Sequence, residues 1–180
     1  TNITIGEQVE TIHHHMFYKA GSNIAQITIP SSVKSIESGA FRECKVSNIV
    51  ITESSETTPR IINGSAFQDC ETLTSITIPE GVTTIGACAF FNCSNLTAIT
   101  IPGTVTEIGE RAFKGCTSLK NVAFNPGAEQ LTIDNMDEVV IEGVSKPDRG
   151  PFYQSPLTTI YLDRDIKMTD EQRRAASERM

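Results

Sequence analysis

The sequence predicts a β-rich α/β solenoid: coils with a 23-residue unit, a parallel sheet on one face and short helical turns or loops on the other. Three observations carry this. Phenylalanine recurs as Phe17, Phe41, Phe67, Phe90, Phe113 and Phe152, with gaps of 24, 26, 23, 23 and 39 residues. An isoleucine stands five residues before each of the first five: Ile12, Ile36, Ile62, Ile85 and Ile108. The 180-residue chain is 38 % hydrophobic and 6 % aromatic and lacks Trp, which is thin for one deep core. It suits a stack in which each coil buries a slab against its neighbours.

The two cleanest repeats show the elements in order. They run Ile76-Thr-Ile-Pro-Glu-Gly-Val82-Thr-Thr-Ile85-Gly86 and Ile99-Thr-Ile-Pro-Gly-Thr-Val105-Thr-Glu-Ile108-Gly109. Ile-Thr-Ile is a short strand signal, with branched side chains alternating inward and outward. Pro30, Pro79 and Pro102 follow at once and end the strand, because proline has no N–H to donate. A second buried pair, Val and Ile three apart, comes after the turn. Gly86 and Gly109 are expected to permit the next bend. Ala-Phe-x-x-Cys then reads as a helical turn, since residues three apart share a helix face. A leucine, as in Leu96 and Leu119, leads into the next strand.

Departures from 23 are local. The 26-residue gap takes up the polar stretch Glu53-Ser-Ser-Glu-Thr-Thr-Pro59, a loop by composition. The 39-residue gap holds an irregular insertion at about 125–149, with two alternating stretches, Leu131-Thr-Ile133 and Val139-Val-Ile141. These are expected to form an extra hairpin or an irregular lobe. The pattern resumes at Pro151-Phe152 with Leu157, Ile160 and Leu162. One solenoid over 1–165 is therefore expected, followed by a C-terminal helix or linker over 166–180 that Thr169 can cap. The opening Thr1-Asn2-Ile3-Thr4-Ile5 reads as the middle of an array expected to continue beyond either end.

The phrase Leu-x-x-Ile-x-Ile-Pro-x-x-Val-x-x-Ile-Gly-x-x-Ala-Phe-x-x-Cys resembles the BspA-type leucine-rich repeat. The likeness covers residues 3 to 124 well and 150 to 162 loosely. Ser155-Pro-Leu157-Thr-Thr-Ile160-Tyr-Leu162-Asp-Arg164 is similar to segments between such repeats in Bacteroides-like surface proteins. The resemblance implies a non-catalytic interaction module of a secreted or cell-surface protein, adhering to host or extracellular-matrix proteins. The alternatives are a structural spacer within a larger surface protein and a carbohydrate-binding module.

The remaining residues narrow the function classes. A net charge of −7 argues against nucleic acid, which needs clustered Lys and Arg. No apolar run approaches the roughly 20 residues of a membrane span. No phosphate loop, nucleophile elbow or zinc motif is present, so no cofactor, metal or catalytic residue is expected, and the chain is expected to be a monomer. Cys44, Cys70, Cys93 and Cys116 share one repeat position and read as buried free thiols, with Cys88 extra. The run His13-His14-His15 offers metal-ligand chemistry, but three consecutive side chains cannot face one way on a regular element, and it reads as a loop. Asn2, Asn63, Asn92 and Asn95 head Asn-x-Ser/Thr triplets, which a bacterial source would leave as products of an Asn- and Thr-rich repeat.

The outward strand positions form the candidate partner-binding face. In register they are Gln26 and Thr28, Asn48 and Val50, Ser75 and Thr77, Ala98 and Thr100, Asn121 and Ala123, and Thr159 and Tyr161. The stripe is small and uncharged, and solenoids bind partners on such extended faces. Small residues also simply suit closely spaced strands.

Overall fold

The computed structural model describes residues 1–21, 24–53, 59–127, 131–133, 151–152, 154–162 and 166–167. Each coil contributes a longer and a shorter strand. In chain order these are β1 (Asn2–Thr4), β2 (Thr11–Ile12), β3 (Gln26–Ile29), β4 (Ser35–Ile36), β5 (Asn48–Ile51), β6 (Arg60–Ile62) and β7 (Ser75–Thr77). They continue as β8 (Val82–Ile85), β9 (Ala98–Ile101), β10 (Glu107–Ile108), β11 (Asn121–Phe124), β12 (Leu131–Ile133), β13 (Thr159–Leu162) and β14 (Ile166–Lys167). All pairing is parallel and joins equivalent repeat positions: Ile3 lies beside Ile27, Ile27 beside Ile49, and Ile49 beside Ile76. One 23-residue unit is therefore one coil of the expected solenoid.

The odd-numbered strands form the expected face, because their alternating isoleucines point into the stack; Ile27, Ile49 and Ile99 are buried. The even-numbered strands add a second, seven-stranded parallel sheet running from β2 to β14. After each strand-ending proline the chain closes a tight turn, with the Val33 N–H donating to Pro30 O at 3.1 Å and the Val105 N–H to Pro102 O at 3.2 Å. That turn aims Val and Ile inward, so the second buried pair seen in the sequence becomes a second ladder.

The Ala-Phe-x-x-Cys segments are not helical, and the described residues contain no helix. They are chains of tight turns, and the hydrogen bonds show why. The N–H groups of Ala66, Gln68 and Cys70 donate within the coil, to Asn63, Ser65 and Phe67. Those of Ser65, Phe67 and Asp69 donate to Ala87, Ala89 and Phe91 of the next coil. A helix would commit every N–H to its own i−4 carbonyl and leave nothing to bind the neighbour. The alternation requires left-handed backbone two residues either side of Phe, as at Ser65 (φ 58°) and Asp69 (φ 59°). Such residues cost about 1–2 kcal/mol each when not glycine; the inter-coil bonds offset that.

The six phenylalanines form one continuous stack. Centroids are 4.8 to 5.2 Å apart and ring planes lie within 16° of parallel. Parallel rings touch at about 3.5–4.0 Å, so at this separation they are offset, as their quadrupoles favour. Gly86 and Gly109 serve close approach rather than the expected bend: a Cβ on either would fall inside the backbone of the preceding coil, and neither has positive φ.

The insertions resolve differently from one another. The loop after β5 returns at Arg60, which takes an inward Val position, paired with Val82 across a register shift. Its side chain is only 4 % exposed. Nε donates to Val33 O, Nη1 to Thr52 O and Nη2 to Pro30 O, at 2.8, 2.8 and 3.3 Å. Burial lowers its pKa, and the carbonyls replace a counter-ion. The larger insertion was expected at about 125–149, with Leu131-Thr-Ile133 in an extra hairpin or lobe. Instead β12 pairs with β10, Glu107 beside Thr132 and Ile108 beside Ile133, so it is the regular second strand of its coil. Of the sixteen residues beyond the 23-residue unit, fourteen fall between Ile133 and Phe152. Val139–Ile141 lies outside the described residues. So does the expected C-terminal helix or linker, apart from Ile166–Lys167, which form β14 beside β12.

The face sheet has one seam. Strands β1, β3, β5 and β7 form one ladder and β9, β11 and β13 another. In coils without proline at the strand end the ladder extends: the Thr52 N–H reaches Ile29 O and the Asn125 N–H reaches Ile101 O, both at 2.9 Å. Pro79 and Pro102 follow the strands on either side of the seam, and Pro102 has no N–H for Ile78 O.

Two stability outcomes follow from these contacts. Phe90→Ala removes a ring stacked on both sides and should cost about 3–5 kcal/mol in urea unfolding; Phe17→Ala, in the half-buried end ring, should cost less. Pro102→Asn supplies the missing donor, so hydrogen exchange at Ile99 and Thr100 should slow; unchanged exchange would show that proline does not cause the seam.

Candidate functional site

The register places the expected stripe as two aligned rows in each ladder. On one side of the seam Asn2, Gln26, Asn48 and Ser75 form one row and Thr4, Thr28, Val50 and Thr77 the other; on the far side Ala98, Asn121 and Thr159 form one and Thr100, Ala123 and Tyr161 the other. Asn2 and Thr4 extend the stripe by a coil. Their signal was present, since Asn2-Ile-Thr-Ile5 copies Gln26-Ile-Thr-Ile29.

The stripe has two characters. In coils two and three, Gln26, Thr28, Asn48 and Val50 are half-buried, and an amide ladder spends their polar groups. The Gln26 Nε2 donates to Thr28 Oγ1 at 3.2 Å, Asn48 Nδ2 to Gln26 Oε1 at 3.0 Å, and Ser75 Oγ to Asn48 Oδ1 at 2.9 Å. Further along, Ser75, Thr77, Ala98, Thr100 and Asn121 are exposed, giving a flat, uncharged surface centred on the seam.

A hollow of about 710 Å³ lies on one flank, lined by Lys19, Glu43, Lys45, Asp69, Glu71 and Thr72. Its inner carboxylates are engaged. Glu43 receives the Tyr18 hydroxyl at 3.2 Å and Lys19 at 3.4 Å. Asp69 receives Gln68 Nε2 and Asn92 Nδ2, both at 3.0 Å, with Arg42 Nε at 3.7 Å. The Lys19 pKa is raised, by Tyr18 first and Glu43 second. The signal for this hollow was present in the sequence, since Lys19, Glu43 and Asp69 stand two residues after successive phenylalanines, and Lys45 and Glu71 stand four residues after theirs.

The histidine run folds back on the second coil. The His14 backbone N–H donates to Glu37 Oε2 at 2.8 Å and lowers that carboxyl's pKa, with His13 Nδ1 adding to it from 3.4 Å. The His14 and His15 rings lie 3.8 Å apart. The His15 ring packs where a Cβ on Gly39 would stand, within 3.0 Å. Among the described residues no group of three or more His, Cys, Asp or Glu converges on a metal position.

The cysteine row does more than fill space. The thiols of Cys70, Cys93 and Cys116 donate to the carbonyls of Phe41, Phe67 and Phe90 in the preceding coil, at 2.9, 3.2 and 3.2 Å. In the sixth coil Ser155 takes the position, its hydroxyl donating to Phe113 O at 2.9 Å. Burial pushes the thiols of Cys44 and Cys116 up to about 12, which disables them as nucleophiles. The amides of Asn63, Asn92 and Asn95 are also spent, on Ser35 and Ile36, on Asp69 and on Glu71.

Comparison with known proteins agrees with this architecture. The BspA type leucine rich repeat region matches in six copies over residues 1–60 and 56–137. A T. pallidum leucine rich repeat protein is 23 % identical with a TM-score of 0.67, over 98 % of this chain and 82 % of that one. A leucine-rich repeat protein from Bacteroides ovatus is 23 % identical with a TM-score of 0.53, over 73 % of this chain. The chain spans 41 % of the Bacteroides ovatus protein's length. No curated protein matches.

The thiols give a direct check. In the folded chain only half-buried Cys88 should react with a thiol reagent at pH 8, and all five should react in denaturant. Because burial pushes the thiols of Cys44 and Cys116 up to about 12 from the ordinary value near 9, the folded state holds protons that the unfolded state releases. Stability should therefore fall as pH rises from about 9 towards 12. Rapid labelling of Cys70 or Cys93 in the native state would contradict the buried row.

Proposed function

The chain belongs to the BspA-type leucine-rich repeat family, and we propose that it is a monomeric, non-catalytic interaction module of a secreted or cell-surface protein, adhering to host or extracellular-matrix proteins. The observation that carries this reading is the uncharged face, in register within each ladder, on which Ser75, Thr77, Ala98, Thr100 and Asn121 are exposed. Side chains of this kind can be covered without desolvating a charge, and a partner that hydrogen-bonds their hydroxyls and amide offsets the water they lose. A continuous face also lets many weak contacts act together on a flat partner.

The surroundings support a non-catalytic role. The thiols of Cys70, Cys93 and Cys116 donate to main-chain carbonyls, and the inner flank carboxylates, Glu43 and Asp69, are held by Lys19, Tyr18, Gln68 and Asn92. No helix among the described residues is long and apolar enough to cross a membrane. The rival reading is a structural spacer, favoured by the Gln26–Asn48–Ser75 ladder, whose polar groups satisfy one another. A carbohydrate module would want an exposed aromatic platform on the face. Tyr18, 41 % exposed, has Lys19 over its ring at 5.0 Å and its hydroxyl on Glu43.

Replacing Thr28, Thr77 and Thr100 together by Glu puts three charges across the face without touching the core. Pull-down against matrix proteins should show binding by the original chain and its loss in the triple variant, with circular dichroism confirming that both fold. Binding no better than a blank surface would sink adhesion; binding retained by the variant would sink the face.

A further inference from the structure

We propose that the flank hollow is a second protein-binding surface, independent of the sheet face, that takes a partner segment carrying an acidic and a basic side chain close together. The charges lining the hollow fall into two layers. Glu43 and Asp69 are half-buried and neutralised, by Lys19 and the Tyr18 hydroxyl and by Arg42, Gln68 and Asn92. Lys45 and Glu71 are exposed, and neither side chain has a hydrogen bond or ion pair among the described residues. They occupy the same repeat position, four residues after Phe41 and Phe67, whose rings are 5.1 Å apart. An unpaired ammonium and an unpaired carboxylate thus stand on adjacent coils at the rim of one hollow.

The chemistry selects the occupant. A neutral ligand could offer both charges hydrogen bonds but no counter-charge in exchange for their lost water. A singly charged ligand would gain at one and be repelled at the other. A segment with a carboxylate opposite Lys45 and an ammonium or guanidinium opposite Glu71 pairs both. On a helix, side chains three or four apart are about 5–6 Å apart; on a strand, same-face neighbours are about 7 Å apart. Either spacing is within reach of the two flexible side chains. The volume, about 710 Å³ and open on one side, holds several residues of such a segment. The sheet face carries no charge, so the two surfaces would recognise different features.

The test uses the whole ¹⁵N-labelled chain and three end-blocked octapeptides: alternating Glu-Lys, all-Lys and all-Glu. The alternating peptide should give saturable NMR shifts at Lys45, Glu71 and Thr72 that weaken in high salt. Lys45→Ala and Glu71→Ala should each weaken binding about two- to fivefold, the size of one exposed ion pair. Three results would overturn the proposal: no saturable shift, equal or stronger shifts at the same residues with either single-charge peptide, or shifts confined to Thr77 and Thr100. The last would place the peptide on the sheet face, whereas flank shifts in a chain that fails the matrix pull-down would leave this surface standing alone.

Discussion

Every part of this molecule answers to one constraint, the rise of about 5 Å from coil to coil. It is set by parallel strand pairing and measured in the phenylalanine stack at 4.8 to 5.2 Å. At that rise each side chain meets its own counterpart above and below, and a position tolerates only what can lie against itself. Phenylalanine can, by offset stacking. The alanines before it, Ala40, Ala66, Ala89 and Ala112, are buried because little room is left beside the rings. Gly86 and Gly109 are required where two backbones pass too closely for a Cβ. Charges meet across the same rise, so ion pairs join successive coils, Glu10 with Lys34 and Lys19 with Glu43, and where two carboxylates follow one another, Glu43 and Asp69, the Arg42 guanidinium lies against both, at 3.9 and 3.7 Å.

This constraint made the stacking direction legible in the sequence and left the connections less so. The period, the inward isoleucines and the stripe register could be read because recurrence at fixed spacing reports contact between equivalents. The helical turn was misread because Phe and Cys three apart face the core equally in a helix or in a turn chain. What decides between them is the destination of the intervening N–H groups, which no side-chain pattern records. Leu131-Thr-Ile133 was visible as a strand but assigned to the insertion, since its partner, Glu107–Ile108, is matched by topology rather than distance. Arg60 was invisible in another way. A lone arginine in a polar loop gives no sign that three carbonyls left open by the insertion will hold it in the core.

The cysteine row shows how a position can be read correctly for burial and incompletely for chemistry. Cys, Ser and Ala are all small enough for the site. Ser155 in the sixth coil, bonded as Cys116 is to the phenylalanine carbonyl before it, shows that from Cys70 onward the position supplies a donor, whereas Cys44 fills it by size. Ala20 occupies the same offset from Phe17, where the described stack provides no preceding phenylalanine carbonyl. The thiols therefore belong to the stacking machinery, and burial rather than tuning for reaction raises the pKa of Cys44, Cys93 and Cys116.

The same rise limits what the surface can say. On the sheet face, neighbours one rung apart must be small or bonded to one another, and both solutions occur: Thr77, Ala98 and Thr100 are small, while Gln26, Asn48 and Ser75 are linked. A perfectly regular array would offer a partner the same contact at every coil, giving affinity through repetition but no fixed register. Specificity has to come from breaks in the repeat. In this chain the breaks are the change from linked to open side chains near Ser75, the seam between β7 and β9, and the flank, where Lys45 and Glu71 replace small or polar equivalents such as Ser94 and Thr117. These irregularities cost the stack hydrogen bonds or leave charges unpaired, and among the described residues they are places where one coil differs enough from the next for a partner to tell them apart.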